Sequence, residues 1–125
     1  MLQTIKQLFN CTLMGEAAMN SDQTAQLAEI FGLLADPTRL SIVVTCLERE
    51  VPAGDIAAEL GLSASLVSHH LRLLRAARML RAERQGKQVI YSMADACVRD
   101  VLKIMIDHLF IHEHGGSDET LEGEN

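Results

Sequence analysis

The sequence predicts a mainly α-helical (α+β) fold, a winged helix-turn-helix with a two-stranded β-hairpin as its wing. Apolar residues recur three or four positions apart over most of the chain, a glycine separates two such segments, and two short alternating segments follow. A core with three Phe, one Tyr and no Trp has to consist of aliphatic side chains, and Leu, Met and Ala favour helices. At 125 residues the chain suits one domain with a modest core.

Composition divides the chain into three parts. Residues 1–20 are an N-terminal arm with mixed helical spacing, and residues 21–112 carry the winged helix-turn-helix. Residues 113–125 contain five acids, two glycines next to each other and no Lys or Arg, so we expect an acidic, disordered tail.

Two helices are predicted before the central turn. Ser21 can cap the first, which carries apolar residues at helical spacing as far as Leu34. Asp36 and Pro37 mark the start of the second, because Asp accepts from free amides and Pro suits the first helical position. This second helix is predicted to end near Glu50.

The helix-turn-helix is predicted around Gly61. Pro52 opens a short helix, and Gly61 supplies the positive φ that ends it. Ser63 caps the following helix, which runs to about Ala77. We expect its inner face to contain Val67, Leu71 and Leu74.

A hairpin and a closing helix complete the predicted fold. Two strands, over residues 79–83 and 87–92, flank a turn at Gln85 and Gly86. The last helix is predicted to begin at Asp95 and to run to about His112.

The distribution of charge favours nucleic acid as a partner although the formal net charge is −6. Six of the eleven Lys and Arg lie within residues 72–87, beside a single acid, so a local basic face can meet phosphate. Short hydroxyls and an imidazole at the start of the helix that Ser63 caps can approach bases and phosphates. The predicted DNA contacts are Ser63, Ser65, Ser68, His69 and Arg72 on this helix, and Arg84, Gln85 and Lys87 at the hairpin. We expect His70 to pack at the domain edge.

Other classes of protein are disfavoured. We find no signal peptide or membrane span, and three cysteines without a CxxC motif fit a reducing compartment, so we expect a cytoplasmic protein. No nucleophile–base spacing and no phosphate loop is present, which argues against an enzyme.

Three segments resemble the ArsR/SmtB family of winged-helix repressors: LADPTRL at residues 34–40, SASLVSHHLRLL at 63–74 and RQGKQVIY at 84–91. The similarity extends over about residues 24–112. It implies a homodimer joined through the first and last helices, double-stranded operator DNA as the partner, and release from DNA when an effector binds.

The resemblance also implies where an effector could bind. One family site uses a thiolate pair beside the short helix, but residues 50–55 contain no cysteine, so that site is absent. A second site uses the last helix, where Asp95, Cys97 and His108 fall at the matching positions. The fourth matching position is Ile111, which cannot ligate, and His112 follows one residue later.

The spacing of these donors favours a site shared by two subunits. At about 1.5 Å per residue, Cys97 and His108 lie roughly 16 Å apart in one helix, too far to bind one ion. Antiparallel pairing of two such helices would bring Asp95 and Cys97 to His108 and His112 of the second copy. Carboxylate, thiolate and imidazole together suit zinc, or cobalt or nickel with extra ligands.

Two alternatives remain open at this stage. Cys46 and Cys97 are candidates for a thiol-based redox or sulfide switch, although an inert core thiol is the simpler interpretation of Cys46. The second alternative is that the chain is a dimeric interaction module that has lost DNA binding. In the metal site, Asp95 could equally be a helix cap, and Cys97 a small buried residue.

Overall fold

In a computed structural model of the chain, residues 18–111 are described, and they fall into two compact units. The first unit ends at Asp95 and the second begins at Ala96. The N-terminal arm, His112 and the acidic tail lie outside the described residues, so the predictions about them, including the domain boundaries, stay predictions.

The first unit contains four helices and three strands, in the order that the sequence predicts apart from one added strand. They are α1 (Ser21–Leu34), α2 (Pro37–Thr45), β1 (Val51–Pro52), α3 (Ala53–Leu60), α4 (Ala64–Ala76), β2 (Leu80–Gln85) and β3 (Gln88–Met93). The described residues of the second unit form α5 (Ala96–Ile106), which continues into a π-helical turn, Asp107–Ile111. These elements confirm the winged helix-turn-helix. Within residues 18–111 no helix has the length and apolar character needed to cross a bilayer.

Polar side chains begin three of the helices. The Asp36 carboxylate accepts from the Arg39 amide at 2.9 Å, and the Ser63 hydroxyl accepts from the Leu66 amide at 3.1 Å, both at predicted caps. The predicted cap at Ser21 is wrong, because Asn20 has this role. The Asn20 side chain accepts from the Gln23 amide and the Gln23 side chain accepts from the Asn20 amide, which satisfies two free donors at once.

The segment between α2 and α3 differs from the prediction. Helix α2 ends at Thr45 instead of near Glu50, and the chain becomes extended at Val51. Val51 pairs with Tyr91 and is fully buried, which requires strand geometry there. Pro52 pairs with Ile90 and is the residue before α3, not its first helical residue.

The three strands form an antiparallel sheet in the order β1-β3-β2. Strands β2 and β3 are paired from Leu80 with Met93 to Gln85 with Gln88, so the turn consists of Gly86 and Lys87, one residue later than predicted. Gly86 has φ +67°, which a glycine adopts without strain. Because β1 leads directly into α3, the sheet joins the wing to the helix-turn-helix.

The core of the first unit lies between α2, α3, α4 and the base of the sheet. Its fully buried side chains are Ile42, Val43, Cys46, Val51, Ile56, Val67, Leu71, Leu74 and Leu80. Helix α1 contributes no buried residue. In the second unit, Leu102 is the buried residue among those described in α5.

The last helix also departs from the prediction. It begins at Ala96 and changes at Asp107 from α-helical to π-helical hydrogen bonding, whereas one continuous α-helix was predicted. A π turn bonds residue i to i+5, so it takes about one residue more than an α turn.

Candidate nucleic-acid interface

Helix α4 has one buried face and one exposed polar face. Val67, His70, Leu71 and Leu74 are buried, and they fix how the helix sits on the core. The predicted contact residues Ser65, Ser68, His69 and Arg72 are all exposed and recur at three- or four-residue spacing, so they share the outer face.

Ser63 lies at the end of this outer face and already has a structural role. Its hydroxyl oxygen accepts from the Leu66 amide, which caps α4. The O–H of the same hydroxyl is left to donate, and it lies at the helix N-terminus where anions are favoured. Ser63 therefore caps α4 and keeps a hydroxyl donor at the helix N-terminus.

The predicted wing residues lie at the tip of the hairpin. Arg84, Gln85 and Lys87 are exposed on both sides of the turn. All six basic residues between Arg72 and Lys87 are exposed, and within residues 18–111 none of them forms an ion pair with an acidic side chain. Their charges are therefore exposed from α4 to the tip of the wing.

His70 is more deeply placed than a domain-edge residue. It is 9% exposed, and its Nδ1 atom lies 3.5 Å from the Arg39 guanidinium. Its ring meets that of His69 edge to face, with centroids 5.4 Å apart. Sequence reasoning missed Arg39, because its contact with His70 joins residues 31 positions apart and has no local signal.

Cys46 is 1% exposed in the core below α2 and α4. Burial raises the pKa of its thiol to about 11, so the thiolate that redox chemistry requires is scarce at neutral pH. These properties weaken the hypothesis that Cys46 and Cys97 form a redox switch.

The predicted metal donors are distributed at and after the end of the first unit. Asp95 is exposed, Cys97 is half-buried in the first turn of α5, and His108 is exposed in the π-helical turn. His112 lies outside the described residues. Among residues 18–111, no three acidic, cysteine or histidine side chains gather closely enough to hold a metal in a single chain. The donor types nevertheless suit a borderline cation such as zinc.

Large apolar side chains are exposed on α1 and on the last helix, and singly at Met19, Val44, Leu66 and Leu73. On α1, Leu27 is 42% and Phe31 is 59% exposed. On α5 and the π turn the exposed residues are Met105, Leu109 and Phe110. Exposed apolar groups concentrated on helices are typical of surfaces that another protein covers.

Comparison with known proteins agrees with this geometry. A model of the family described as "Bacterial regulatory protein, arsR family" matches residues 36–82. The chain is 42% identical over 91 residues to a transcriptional repressor, the SmtB homolog of Synechocystis sp., covering 73% of this chain and 69% of that protein.

Two solved structures share the fold at somewhat lower identity. The antimony-specific transcriptional repressor AntR superposes with a TM-score of 0.68 at 29% identity, covering 78% of this chain and 89% of that one. A homodimeric winged helix-turn-helix DNA-binding domain from Mycobacterium bovis gives 0.62 at 26% identity, covering 78% and 94%. This protein therefore belongs to the ArsR/SmtB family of winged-helix repressors, which are DNA-binding regulators of transcription and not enzymes.

Proposed function

We propose that the chain acts in the cytoplasm as a homodimeric repressor that binds double-stranded operator DNA and is released from it by a metal ion. The observation that carries the DNA-binding part is the outer face of α4, where Ser65, Ser68, His69 and Arg72 are all exposed at helical spacing. Hydroxyl and imidazole groups read base edges in the major groove, and arginine binds either guanine or phosphate.

The wing adds sequence-independent attraction. Arg84 and Lys87 lie on either side of the hairpin turn, where they meet the DNA backbone beside the groove that α4 enters. The acidic residues that make the net charge negative lie mainly elsewhere, with Glu83 the one acid between Arg72 and Lys87. The local field therefore favours phosphate although the whole chain is acidic.

A second copy of the chain completes the repressor. Phe31 and Leu27 on α1 and the apolar residues of α5 are exposed in the single chain, and one structural relative is described as homodimeric. Burying these side chains between subunits removes apolar area from water. A dimer also presents two copies of α4, which suits half-sites about 34 Å apart.

DNA binding is tested by its salt dependence. The probe is a duplex selected from a random pool by the full-length protein, titrated at several salt concentrations. We expect Arg84→Ala to reduce the slope of log K against log salt by about 0.9, the value for one phosphate contact. Arg49→Ala is the matched control, because Arg49 is an exposed arginine that belongs to neither α4 nor the wing and pairs with Glu59.

Two outcomes would contradict this proposal. The wild-type protein would select no duplex from the pool, as expected of an interaction module without DNA binding. Alternatively, Arg49→Ala and Arg84→Ala would change the slope equally, which would remove the wing from the interface.

The metal part of the proposal assigns Asp95, Cys97, His108 and His112 as ligands. His112 is assigned as the fourth donor because Ile111, which precedes it, cannot ligate. Zinc is the first candidate, with cobalt or nickel if further ligands join.

A bound metal would supply a link between the two closing helices of the dimer. Asp95 and Cys97 would hold the metal at the start of α5, and His108 would hold it at the π-helical turn. Release from DNA then requires that the linked dimer bind the operator more weakly than the unlinked one. By linkage, operator DNA must weaken metal binding by the same factor.

Metal binding is tested by titrating the full-length protein with zinc and, separately, with cobalt. We expect His108→Ala to weaken zinc binding by more than about 100-fold, since even residues that only orient a ligand cost 10- to 100-fold. His69→Ala is the matched control, because it removes an exposed imidazole from the other unit. Thiolate-to-cobalt absorption that disappears in Cys97→Ser would identify Cys97 as a ligand. Unchanged zinc affinity in His108→Ala would exclude the site.

A further inference from the structure

We infer that Arg39 is a positioning residue for DNA reading: it holds His70, and His70 in turn orients the ring of His69 on the outer face of α4. This inference rests on the proposed binding of DNA through α4. It concerns a residue that lies on α2, away from the DNA-reading face.

Arg39 connects three helices. Its Nε donates to the Leu33 carbonyl oxygen, in the last turn of α1, at 2.9 Å. Its Nη1 lies 3.5 Å from Nδ1 of His70 on α4, and its own backbone amide donates to Asp36 at the start of α2. Because the guanidinium is planar and presents its donors in a fixed fork, the contact with Leu33 also sets the direction of the nitrogen that faces His70.

Asp36 supports this arrangement through its charge. The hydrogen bond from the Arg39 amide lowers the pKa of the Asp36 carboxyl below its ordinary value, and the positive charge of Arg39 acts in the same direction. Asp36 is therefore ionised at neutral pH, and its negative charge favours the placement of the Arg39 guanidinium at this junction.

The contact favours one tautomer of the His70 ring. Arginine has donors and no acceptor, so a hydrogen bond from Arg39 Nη1 to His70 Nδ1 needs a lone pair on Nδ1. We therefore expect the ring hydrogen of His70 on Nε2. Since His70 is 9% exposed and packed with the inner face of α4, its ring has little freedom to turn away.

The oriented ring of His70 in turn contacts His69. Its ring meets the His70 ring edge to face at 5.4 Å, with an interplanar angle of 63°. His69 itself is exposed, so this contact limits the rotamers open to its side chain. A side chain that is already oriented loses less conformational freedom when it binds a base edge.

The first test concerns the free protein and does not depend on DNA. In the ¹⁵N-histidine NMR spectrum of the full-length chain, we expect His70 Nδ1 to resonate as an unprotonated acceptor. In Arg39→Met this signature should shift towards a mixture of tautomers, whereas in Arg49→Met it should stay unchanged. A wild-type His70 that carries its hydrogen on Nδ1 would overturn the inference.

The second test measures whether Arg39 acts through His69. Affinity is measured for the duplex selected by the wild-type protein and for a scrambled duplex of the same composition. We expect Arg39→Met to weaken binding of the selected duplex about tenfold, the scale of one lost base contact, with the scrambled duplex and the salt slope unchanged. The double variant Arg39→Met/His69→Ala should bind no more weakly than His69→Ala alone.

Other outcomes have definite meanings. If the losses of affinity were additive in the double variant, or equal for both duplexes, Arg39 would have only a structural role, and the inference would be overturned. If Arg39→Met does not fold, Arg39→Lys replaces it, because lysine keeps the charge but lacks the fork that spans Leu33 and His70. Failure of the wild-type protein to select a duplex would instead defeat the proposed function, and the NMR result would still decide whether Arg39 sets the His70 tautomer.

Discussion

Helices α1 and α4 are similar in length but differ in what they bury. Helix α4 buries Val67, His70, Leu71 and Leu74 within the chain, whereas α1 buries nothing, although it carries Leu27 and Phe31. Helix α4 is therefore covered on its apolar face by the core of its own unit, whereas α1 leaves apolar side chains exposed in the single chain. Apolar periodicity predicts which face of a helix is apolar, but it does not tell whether the chain itself or a partner covers that face.

The largest expected effect comes from breaking the core beneath α4. Leu71 is 1% exposed. Leu71→Ala should therefore lower the free energy of unfolding by an amount in the upper part of the usual range for buried leucine, about 2–5 kcal/mol. Leu73→Ala is the matched control, since it makes the same change on the same helix at a side chain that is 38% exposed. Urea unfolding measures both, and equal losses would show that α4 does not have the two-faced packing described above.

The next effect concerns the uncovered face of α1. Phe31→Ala should raise the dimer dissociation constant at least about a hundredfold, because each buried Phe contributes about 1.5–3 kcal/mol and a twofold interface contains two copies. The unfolding free energy of the dilute monomer should hardly change, because Phe31 is 59% exposed in the single chain. Sedimentation equilibrium measures the first quantity and urea unfolding at low concentration the second.

Gln26→Ala provides the control for α1, because it removes an exposed polar side chain from the same helix. A wild-type chain that stays monomeric at high concentration would contradict the proposed dimer. A Phe31→Ala variant that dimerises normally would instead place the interface elsewhere.

Local signals in the sequence were sufficient to predict most of the helix-turn-helix and the helix before it. The caps at Asp36 and Ser63, the turn at Gly61 and the buried face of α4 depend on residues within one or two helical turns, and the structure agrees with all of them. The predicted N-cap of α1 was wrong by one residue, because serine and asparagine are both good N-cap residues. The side chain of Gln23, three residues after Asn20, decides between them.

The features that sequence reasoning missed depend on distant residues or on short elements. Strand β1 contains two residues, too few for an alternating pattern, and it exists because Val51 pairs with Tyr91 forty positions later. The contact between Arg39 and His70 is equally non-local. The π turn after Ile106 follows a sequence with ordinary helical spacing, so nothing in that spacing distinguishes it from α-helix.

The smallest effects concern how the chain enters and leaves α4. Gly61 before the helix and Arg78 after it both have a left-handed backbone, with φ +66° and +63°. The following amides make the same reverse bond, from Leu62 to the Ala57 carbonyl at 3.0 Å and from Met79 to the Leu74 carbonyl at 2.9 Å. The two helix ends therefore share one geometry and differ in whether a glycine provides it.

Substitutions at Gly61 and Arg78 should change the free energy of unfolding in opposite directions. A Cβ at Gly61 meets no atom within 4 Å, so Gly61→Ala should cost about 1–2 kcal/mol through backbone strain alone. Arg78→Gly relieves the same strain but adds freedom to the unfolded chain, so it should stabilise by less than about 1 kcal/mol. Urea unfolding without DNA measures both, with Arg75→Gly as a control that places glycine in the last turn of α4 and should destabilise. If Arg78→Gly destabilised as much as Arg75→Gly, the arginine side chain would be holding the end of α4 more strongly than its backbone strains it.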